Sequence, residues 1–382
     1  MGDLMFHDHL NEVKRREHAL QIIGERIASG GREGIYDLTG LSGGFPLEME
    51  DIGLLETYVG PAVFEERLQT AGRKHMGGEM VAAFNRTSSA ILASILELAE
   101  PGSLVVHYLP ELPSHPSIPS STQLAAARYH ETDDFTEDIP ENTSLVVVTG
   151  STMDHRVVDE SELQQIIERA HSAGVPVLVD DASGARLRTV LFNQKRACDL
   201  GADLAVTSTD KLMHGPRGGL LAGRSDLVER VKSRAYRFGL EAQPPLIAAM
   251  VRALESFDPS EILNALERKG YLLEALRDLN VEETPTGIMI KPDSLEELYD
   301  STCTGDEIAV ALSMLLLSDH GIITIPAVGM PGASKTLRFD LASRDAERLV
   351  PELLREAIED AVDKLSGIIS DRKMMEKLIF GS

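Results

Sequence analysis

Residues 176–223 decide the fold and read PVLVDDASGARLRTVLFNQKRACDLGADLAVTSTDKLMHGPRGGLLAG. The short apolar runs Val177–Val179 and Ala202–Ser208 have the composition of strands that are buried on both faces of a parallel sheet. Functional side chains of such sheets lie at the carboxyl ends of the strands. Asp180 and Lys211 follow the two runs, so the sequence predicts a carboxylate and an amine at one edge of the sheet.

A carboxylate and an amine at neighbouring strand ends suit pyridoxal phosphate. The amine of Lys211 can hold this cofactor as a Schiff base, and an aspartate can pair with the pyridinium nitrogen and keep it protonated. Neighbouring side chains of a strand point to opposite faces. Only one of the two carboxylates, Asp180 or Asp181, is therefore expected to meet the ring.

The motif V-L-V-D-D-A-S-G, followed by T-S-T-D-K-L-M-H-G-P, resembles the core of fold-type-I pyridoxal phosphate enzymes. Within them it is most similar to the selenocysteine synthase (L-seryl-tRNA(Sec) selenium transferase) group and its shorter archaeal relatives. The resemblance implies an α/β fold with a large, mostly parallel-sheet domain and a smaller C-terminal α+β domain. It also implies that Asp180 meets the ring, that Ala182 lies beneath the ring, and that the protein forms a homodimer or higher homo-oligomer.

We predict three segments along the chain. Residues 1–35 form an N-terminal helix or arm, residues 36–243 the large cofactor-binding α/β domain, and residues 244–382 the small α+β domain. An amphipathic helix is predicted from residue 8 to residue 27, because its apolar residues recur at helical spacing. The pair Pro244-Pro245 marks the second boundary.

Arg86, Thr87 and Ser88 precede the apolar-periodic helix predicted at residues 90–98. Hydroxyls and free backbone N–H groups at a helix start can bind an anion. An ordinary N-cap formed by Thr87 or Ser88 is the alternative. The cofactor domain that follows favours binding of the cofactor phosphate.

Other cofactor contacts are implied by the family order along the chain. Ser208 stands three residues before Lys211, where relatives place a hydroxyl that contacts phosphate, and Arg217 lies six residues after it. His115 is predicted to cover the pyridine ring. His107 competes for that role, and a solvated loop position for His115 is an equal alternative.

Composition limits the possible partners. The net charge is −24 and the pI is about 4.8, which disfavours a protein whose main task is to grip a nucleic-acid backbone. The basic stretch 217–237 is then a solvated helix face or a dimer contact. Cys198 and Cys303 form no metal-ligand motif, so no metal is expected. Without a signal peptide or an apolar run of spanning length, we expect a cytoplasmic protein that binds no membrane.

The predicted activity is elimination or replacement at the β-carbon of an amino-acid-type small molecule, as a lyase or transferase, with Lys211 as general base. Arg338 is predicted to clamp the substrate carboxylate, since it lies on the polar face of the predicted strand 336–341. An ion pair with Asp340 is the alternative role for Arg338. The alternative functions are a selenocysteine synthase acting on seryl-tRNA and a cofactor-binding scaffold without turnover.

Overall fold

The computed structural model describes residues 9–41, 43–276, 281–299, 301–330 and 333–381. The chain divides into two compact units. One unit is Leu41–Pro259, and the other combines Met1–Gly40 with Ser260–Ser382. Residues 1–8 of the predicted arm lie outside the described residues.

The first terminal segment consists of helix α1 (His9–Gly30) and strand β1 (Tyr36–Asp37). The unit Leu41–Pro259 then contains a seven-stranded sheet. Its strands are β2 (Met80–Phe84), β3 (Leu104–Tyr108), β4 (Arg128–Thr132), β5 (Thr143–Thr149), β6 (Val177–Asp180), β7 (Leu204–Ser208) and β8 (Gly219–Gly223). The order is β2-β8-β7-β6-β5-β3-β4, and β8 runs antiparallel to both of its neighbours while the other pairs are parallel.

Helices cover both faces of this sheet. They are α2 (Met49–Leu55), α3 (Val59–Met76), α4 (Thr87–Leu98), α5 (Ser117–Leu124), α6 (Glu160–Ser172), the short α7 (Gly184–Arg186), α8 (Ser225–Tyr236) and α9 (Pro244–Glu255). Alternate residues of β5 feed two separate cores. Val146 and Val148 pack with α3, α6 and α9, whereas Leu145 and Val147 pack with α4, α5 and α8. The predicted α/β class follows from strands that are apolar on both faces.

The predicted parallel pair is confirmed as β6 and β7, with Leu178 opposite Leu204 in register. The carboxyl ends of β6 and β7 are therefore adjacent. Two backbone hydrogen bonds join the loop after β6 to the end of β7, from Asp181 N to Val206 O at 2.9 Å and from Ser208 N to Ala182 O at 3.1 Å. These bonds bring the two predicted functional strand ends together.

The second terminal segment contains helices and a small sheet. The helices are α10 (Ser260–Ala275), α11 (Pro292–Glu296), α12 (Gly305–His320), α13 (Ile325–Val328), α14 (Pro351–Ile368) and α15 (Arg372–Phe380), and the strands are β9 (Glu282–Thr284), β10 (Gly287–Ile290), β11 (Ile322–Ile323) and β12 (Leu337–Asp340). Strands β12, β10 and β9 form an antiparallel sheet, and β11 pairs in parallel with β1. Pro326 lies in the first turn of α13, where its missing N–H costs nothing.

The division into units differs from the predicted segments. The predicted arm 1–35 belongs to the same unit as residues 260–382, and α9 belongs to the unit Leu41–Pro259 instead of starting the small domain. The reason lies in α9: Pro244 opens it as a helix-starting residue, and buried Ile247 and Val251 pack into the core that also holds Phe64 of α3. Across the described ranges, no helix has the length and apolarity to cross a membrane.

Candidate active site

Asp180 ends β6 and is buried. Its Oδ1 accepts a hydrogen bond from Ala182 N at 3.2 Å. Burial raises the pKa of the Asp180 carboxyl to about 6, although the positive charge of Lys211 opposes the shift. The structure therefore places the Lys211 amine within electrostatic reach of a carboxyl that is expensive to ionise without a cation.

Asp181 has a different environment. Its carboxylate forms a bidentate ion pair with Arg188, with Arg188 Nε 3.0 Å from Asp181 Oδ1, and both side chains are buried. A Cβ atom at Gly150 would lie 1.9 Å from Asp181 Oδ1, and one at Gly184 would lie 2.2 Å away. The packing thus leaves Asp181 enclosed, while Asp180 is the carboxyl near Lys211, which is the arrangement that strand alternation predicts.

Lys211 follows β7 in a loop held by Asp210. The Ser208 hydroxyl donates a hydrogen bond to Asp210 Oδ1, and Arg217 Nε donates to Asp210 Oδ2 at 3.1 Å. Ser208 and Arg217, the predicted phosphate contacts, thus converge on this buried carboxylate, and their contact with phosphate stays a prediction. Half-exposed Arg217 keeps part of its guanidinium accessible.

Helix α4 begins at Thr87, with Arg86 in the N-cap position in an extended conformation and without a side-chain capping bond. Thr87 and Ser88 are therefore first-turn residues, and the alternative of an N-cap by either of them does not describe this helix start. A Cβ at Gly219 of β8 would lie 2.5 Å from Arg86 O and 2.8 Å from Thr87 N. Only glycine at this position lets the helix start approach the sheet so closely.

The two candidate histidines have different surroundings. His107 lies in β3, fully buried, with Nδ1 2.8 Å from the Tyr129 hydroxyl and Nε2 2.7 Å from Thr149 Oγ1. His115 keeps an exposed edge, but the atoms packed around it and the positive charges of Lys211 and Arg86 lower its pKa to about 4. His115, not His107, is thus grouped with Lys211 and Arg86.

The Gly-rich loop before α2 contains Gly43 and Gly44. It lies against the loop that carries Lys211, here called the lysine loop. A Cβ at Gly43 would lie 1.8 Å from Gly215 O, and one at Gly44 would lie 2.8 Å from His214 O. These backbone contacts place the Gly-rich loop beside the lysine loop.

Arg338 lies in the other unit, on β12, and is buried. Its Nη2 lies 3.5 Å from Thr39 O. Burial raises the pKa of the Asp340 carboxyl, and the charge of Arg338 opposes that shift. The positive charge of Arg338 thus acts on Asp340, and an ion pair between the two side chains stays a prediction.

Comparison with known proteins identifies the family. Residues 277–350 match the model of the UPF0425 C-terminal domain, and residues 121–239 match that of aminotransferase class V. A UPF0425 pyridoxal phosphate-dependent protein of Methanothermobacter thermautotrophicus is 72% identical over 99% of this chain and 100% of that protein. The chain belongs to the UPF0425 pyridoxal phosphate-dependent protein family. This membership confirms the predicted cofactor, pyridoxal phosphate.

More distant similarities agree with the family and the fold. An L-seryl-tRNA(Sec) selenium transferase of Aquifex aeolicus is 25% identical over 47% of this chain and 44% of that protein. The structure of an aspartate aminotransferase from Thermotoga maritima superposes with a TM-score of 0.60 at 17% identity, covering 92% of this chain and 96% of that chain. The predicted fold-type-I architecture is confirmed.

The strand-end residues of this UPF0425 protein fit pyridoxal phosphate. Asp180 is a buried carboxyl that needs a cationic N–H partner, and Lys211 supplies an amine beside it. The close approach at Gly219 positions Arg86 and the first-turn N–H groups of α4, which attract anions. The Asp180 carboxyl suits the ring nitrogen of the cofactor, the Lys211 amine suits its aldehyde, and the start of α4 suits its phosphate.

The sequence did not reveal two residues of this site. Asp210 accepts hydrogen bonds from Ser208 and Arg217, and buried Arg186 donates a hydrogen bond to the main-chain oxygen of Lys211. Both stand within the stretch that decides the fold. The available signal for Arg186 was a charged residue among small and apolar residues directly after a functional strand end.

Proposed function

We propose that this chain is a pyridoxal phosphate-dependent enzyme that catalyses elimination or replacement at the β-carbon of an amino-acid-type substrate. The observation that carries this proposal is the buried Asp180 carboxyl beside the Lys211 amine at adjoining strand ends. Pyridoxal phosphate, when bound, draws electrons away from the bonds at the α-carbon of an attached amino acid. The residues of the chain then decide which protons move and which groups are held.

Lys211 and Asp180 have separate roles in this proposal. Asp180 would hold the proton on the ring nitrogen. The cationic ring N–H would then be the partner of the ionised Asp180 carboxylate. Once the substrate amine has displaced Lys211 from the cofactor aldehyde, Lys211 Nζ would remove the α-proton, and the leaving group would depart from the β-carbon with the electron pair of its bond. In replacement, an incoming nucleophile bonds to the β-carbon and Lys211 returns the proton to the α-carbon.

The remaining predicted residues orient the cofactor. Arg86, Thr87 and Ser88 hold the phosphate at the start of α4. Ala182 would contact one face of the ring and His115 the other. Ser208 and Arg217 would act on the phosphate side of the cofactor. They would act through Asp210, or they would leave the Asp210 carboxylate and bond to the phosphate when the cofactor binds.

The incoming nucleophile of a replacement comes from outside the chain. Burial, with the nearby charges of Asp181 and Asp199, raises the pKa of Cys198 to about 12. Burial likewise raises the pKa of Cys303. Because the thiolate is the reactive form, neither cysteine is suited to deliver sulfur or selenium to the β-carbon.

Independence from tRNA is part of the proposal, in contrast to a selenocysteine synthase. The net charge of −24 repels RNA at long range. The predicted basic stretch is largely paired within its own unit: Arg230 and Arg234 both contact Glu97, and Lys232 contacts Glu65. These pairs favour the interpretation as a solvated helix face. A cytoplasmic homodimer or higher homo-oligomer completes the proposal.

Covalent capture of the cofactor tests the lysine. Purified protein is incubated with pyridoxal phosphate, reduced with borohydride and mapped by peptide mass spectrometry, and we expect the label on Lys211. Lys211→Ala should lose this label, while the exposed-residue control Lys74→Ala should retain it. A label on another lysine, or none in the wild type, would overturn the assignment.

Consumption of substrate separates an enzyme from a scaffold. Amino acids are screened for release of ammonia and a 2-oxo acid, with and without added thiol nucleophiles. On any substrate found, Asp180→Asn should keep the Lys211 label but turn over roughly a hundredfold more slowly. Labelling without consumption of any amino acid would favour the scaffold, and tight, salt-sensitive binding of serylated tRNA would favour the synthase.

A further inference from the structure

Arg186 is a fully buried arginine that the proposed chemistry does not use. It is the last residue of α7 and follows Ser183, the N-cap of that helix, by three residues. Its guanidinium donates three hydrogen bonds to main-chain oxygens at the two functional strand ends. The acceptors are Lys211 O at 2.6 Å from Nε, Ala182 O at 3.3 Å from Nη2, and Ser208 O, also from Nη2.

Two side chains complete the environment of the Arg186 guanidinium. Thr207 Oγ1 accepts from Nη2 at 3.0 Å and itself donates to Ala182 O at 3.1 Å. His75 Nε2 lies 3.1 Å from Nη1, so it accepts with its lone pair, because arginine can only donate. Burial and the charge of Arg186 lower the pKa of His75 to about 3, which keeps the imidazole neutral and able to accept.

These acceptors are neutral, which is unusual for a buried cation. Burial lowers the pKa of Arg186 to about 10, and the charges of Asp210 and Asp181 oppose this shift. A buried ion without a contacting counter-charge is costly, and an apolar side chain of similar size would pack at lower cost. Arg188, two residues later, instead forms a bidentate ion pair with the Asp181 carboxylate, as is ordinary for a buried arginine.

The planar fork of Arg186 connects two segments that backbone hydrogen bonds also join. Asp181 N donates to Val206 O, and Ser208 N donates to Ala182 O. Arg186 adds bonds on both sides of that junction and one to Lys211 itself. A lysine side chain in this place has a single point charge and could not make the same set of bonds.

We propose that Arg186 is a positioning residue that fixes the lysine loop against the Asp180 loop, and so sets where the Lys211 amine stands relative to the cofactor ring. This inference rests on the proposed function, since it assigns Lys211 as the residue that captures the cofactor. Arg186 touches only the backbone of the lysine loop and not the reacting atoms.

The test measures capture and geometry separately from folding. Arg186→Lys is compared with wild type for three properties: thermal unfolding without cofactor, the rate at which added pyridoxal phosphate becomes borohydride-fixed on Lys211, and the visible circular dichroism of the bound cofactor. We expect capture to slow by about tenfold to a hundredfold, because small misplacements of a reacting group have effects of this size. The visible circular dichroism should fall as the ring loses its fixed orientation.

Arg188→Lys is the matched control, because Arg188 is equally buried and lies in the same segment but bonds to Asp181 and not to the lysine loop. The proposal holds if Arg186→Lys alone slows capture while its apoprotein remains folded. It is overturned if Arg186→Lys captures the cofactor at the wild-type rate, or if both variants slow capture equally.

Thr207→Val serves if Arg186→Lys does not fold. It removes one acceptor of Arg186 and leaves the charge and the side-chain shape in place. A several-fold slower capture in this variant supports the proposal, and an unchanged rate overturns it. Failure of the proposed function is distinguishable, because the wild type would then carry no label on Lys211.

Discussion

The carboxyl ends of β6 and β12 share a local design. Each strand ends in a buried aspartate, Asp180 or Asp340. Each carboxylate accepts a hydrogen bond from the backbone N–H two residues on, at 3.2 Å from Ala182 and at 3.0 Å from Ala342. Burial raises the pKa of each, and a nearby cation opposes the shift in both places.

The two strand ends differ in what else surrounds the carboxylate. Asp340 also accepts from the Thr286 hydroxyl at 3.1 Å, and a Cβ at Gly40 would lie 2.4 Å from its Oδ2. Within the described ranges, Asp180 has the Ala182 bond and the neighbouring charge of Lys211. The two strand ends thus share a local pattern but differ in enclosure, since Asp340 is 1% exposed and Asp180 is 9% exposed. We propose that this difference leaves Asp180 open to a ligand.

The largest effect is expected where enclosure is most complete, at Asp181. Asp181→Asn removes the carboxylate partner of buried Arg188. Leaving a buried charge unpaired costs about 3–5 kcal/mol, so the free energy of unfolding should fall by that amount. Urea unfolding of cofactor-free protein measures it.

Asp180→Asn is the control for this experiment. It should leave the unfolding free energy of cofactor-free protein at neutral pH unchanged or raised, because it removes a carboxylate that is buried at a cost. If Asp180→Asn destabilises the protein as much as Asp181→Asn does, enclosure does not distinguish the two neighbours.

Part of this site could be predicted from sequence because its pattern is local. Val177–Val179 and Ala202–Ser208 predicted β6 and β7 to within two residues, since strands buried on both faces are short apolar runs. The alternation of Asp180 and Asp181 is also local. The resemblance then supplied the cofactor, which no spacing of residues establishes alone.

The rest depended on contacts between residues distant in sequence. Arg186 meets His75 across 111 residues, and the enclosure of Asp340 depends on Gly40. The boundary expected at Pro244 moved because the apolar face of α9 packs against α3. None of these contacts leaves a periodic or compositional pattern, so the sequence could place the strand ends but not their surroundings.

An intermediate effect is expected at Arg338, which we propose binds the substrate carboxylate. Arg338→Ala should weaken an amino-acid substrate about a hundredfold, because a bidentate charged contact is lost. The same change also removes the positive charge that opposes the effect of burial on Asp340, so ionising the Asp340 carboxyl becomes more costly. The double variant Arg338→Met, Asp340→Asn removes that cost and isolates substrate binding.

Substrate affinity decides between the two roles of Arg338. A double variant that unfolds like wild type but binds substrate about a hundredfold more weakly supports the carboxylate clamp. A double variant with wild-type affinity would mean that Arg338 serves Asp340 alone, and the end of β12 would then be structural throughout.

The smallest effect is a pH dependence at Asp180. Its pKa in the folded protein is raised from 3.8 to about 6, so the folded state holds this proton more tightly than the unfolded state does. The resulting stabilisation is fully present below the unfolded pKa and is lost as the pH rises through the folded pKa. Between about pH 5 and pH 7, cofactor-free wild type should lose about 1 kcal/mol relative to Asp180→Asn.

Pyridoxal phosphate should act differently on the two strand ends. A ring N–H cation held against Asp180 offsets the cost of ionising it, so saturating cofactor should flatten the pH dependence that Asp180→Asn removes. The contribution of Asp340, whose pKa is also raised by burial, should persist with cofactor bound. Thermal unfolding of wild type, Asp180→Asn and Asp340→Asn across this pH range, with and without cofactor, measures both slopes. A wild-type slope that the cofactor leaves unchanged would show that Asp180 does not meet the ring, and the end of β6 would then be as closed as the end of β12.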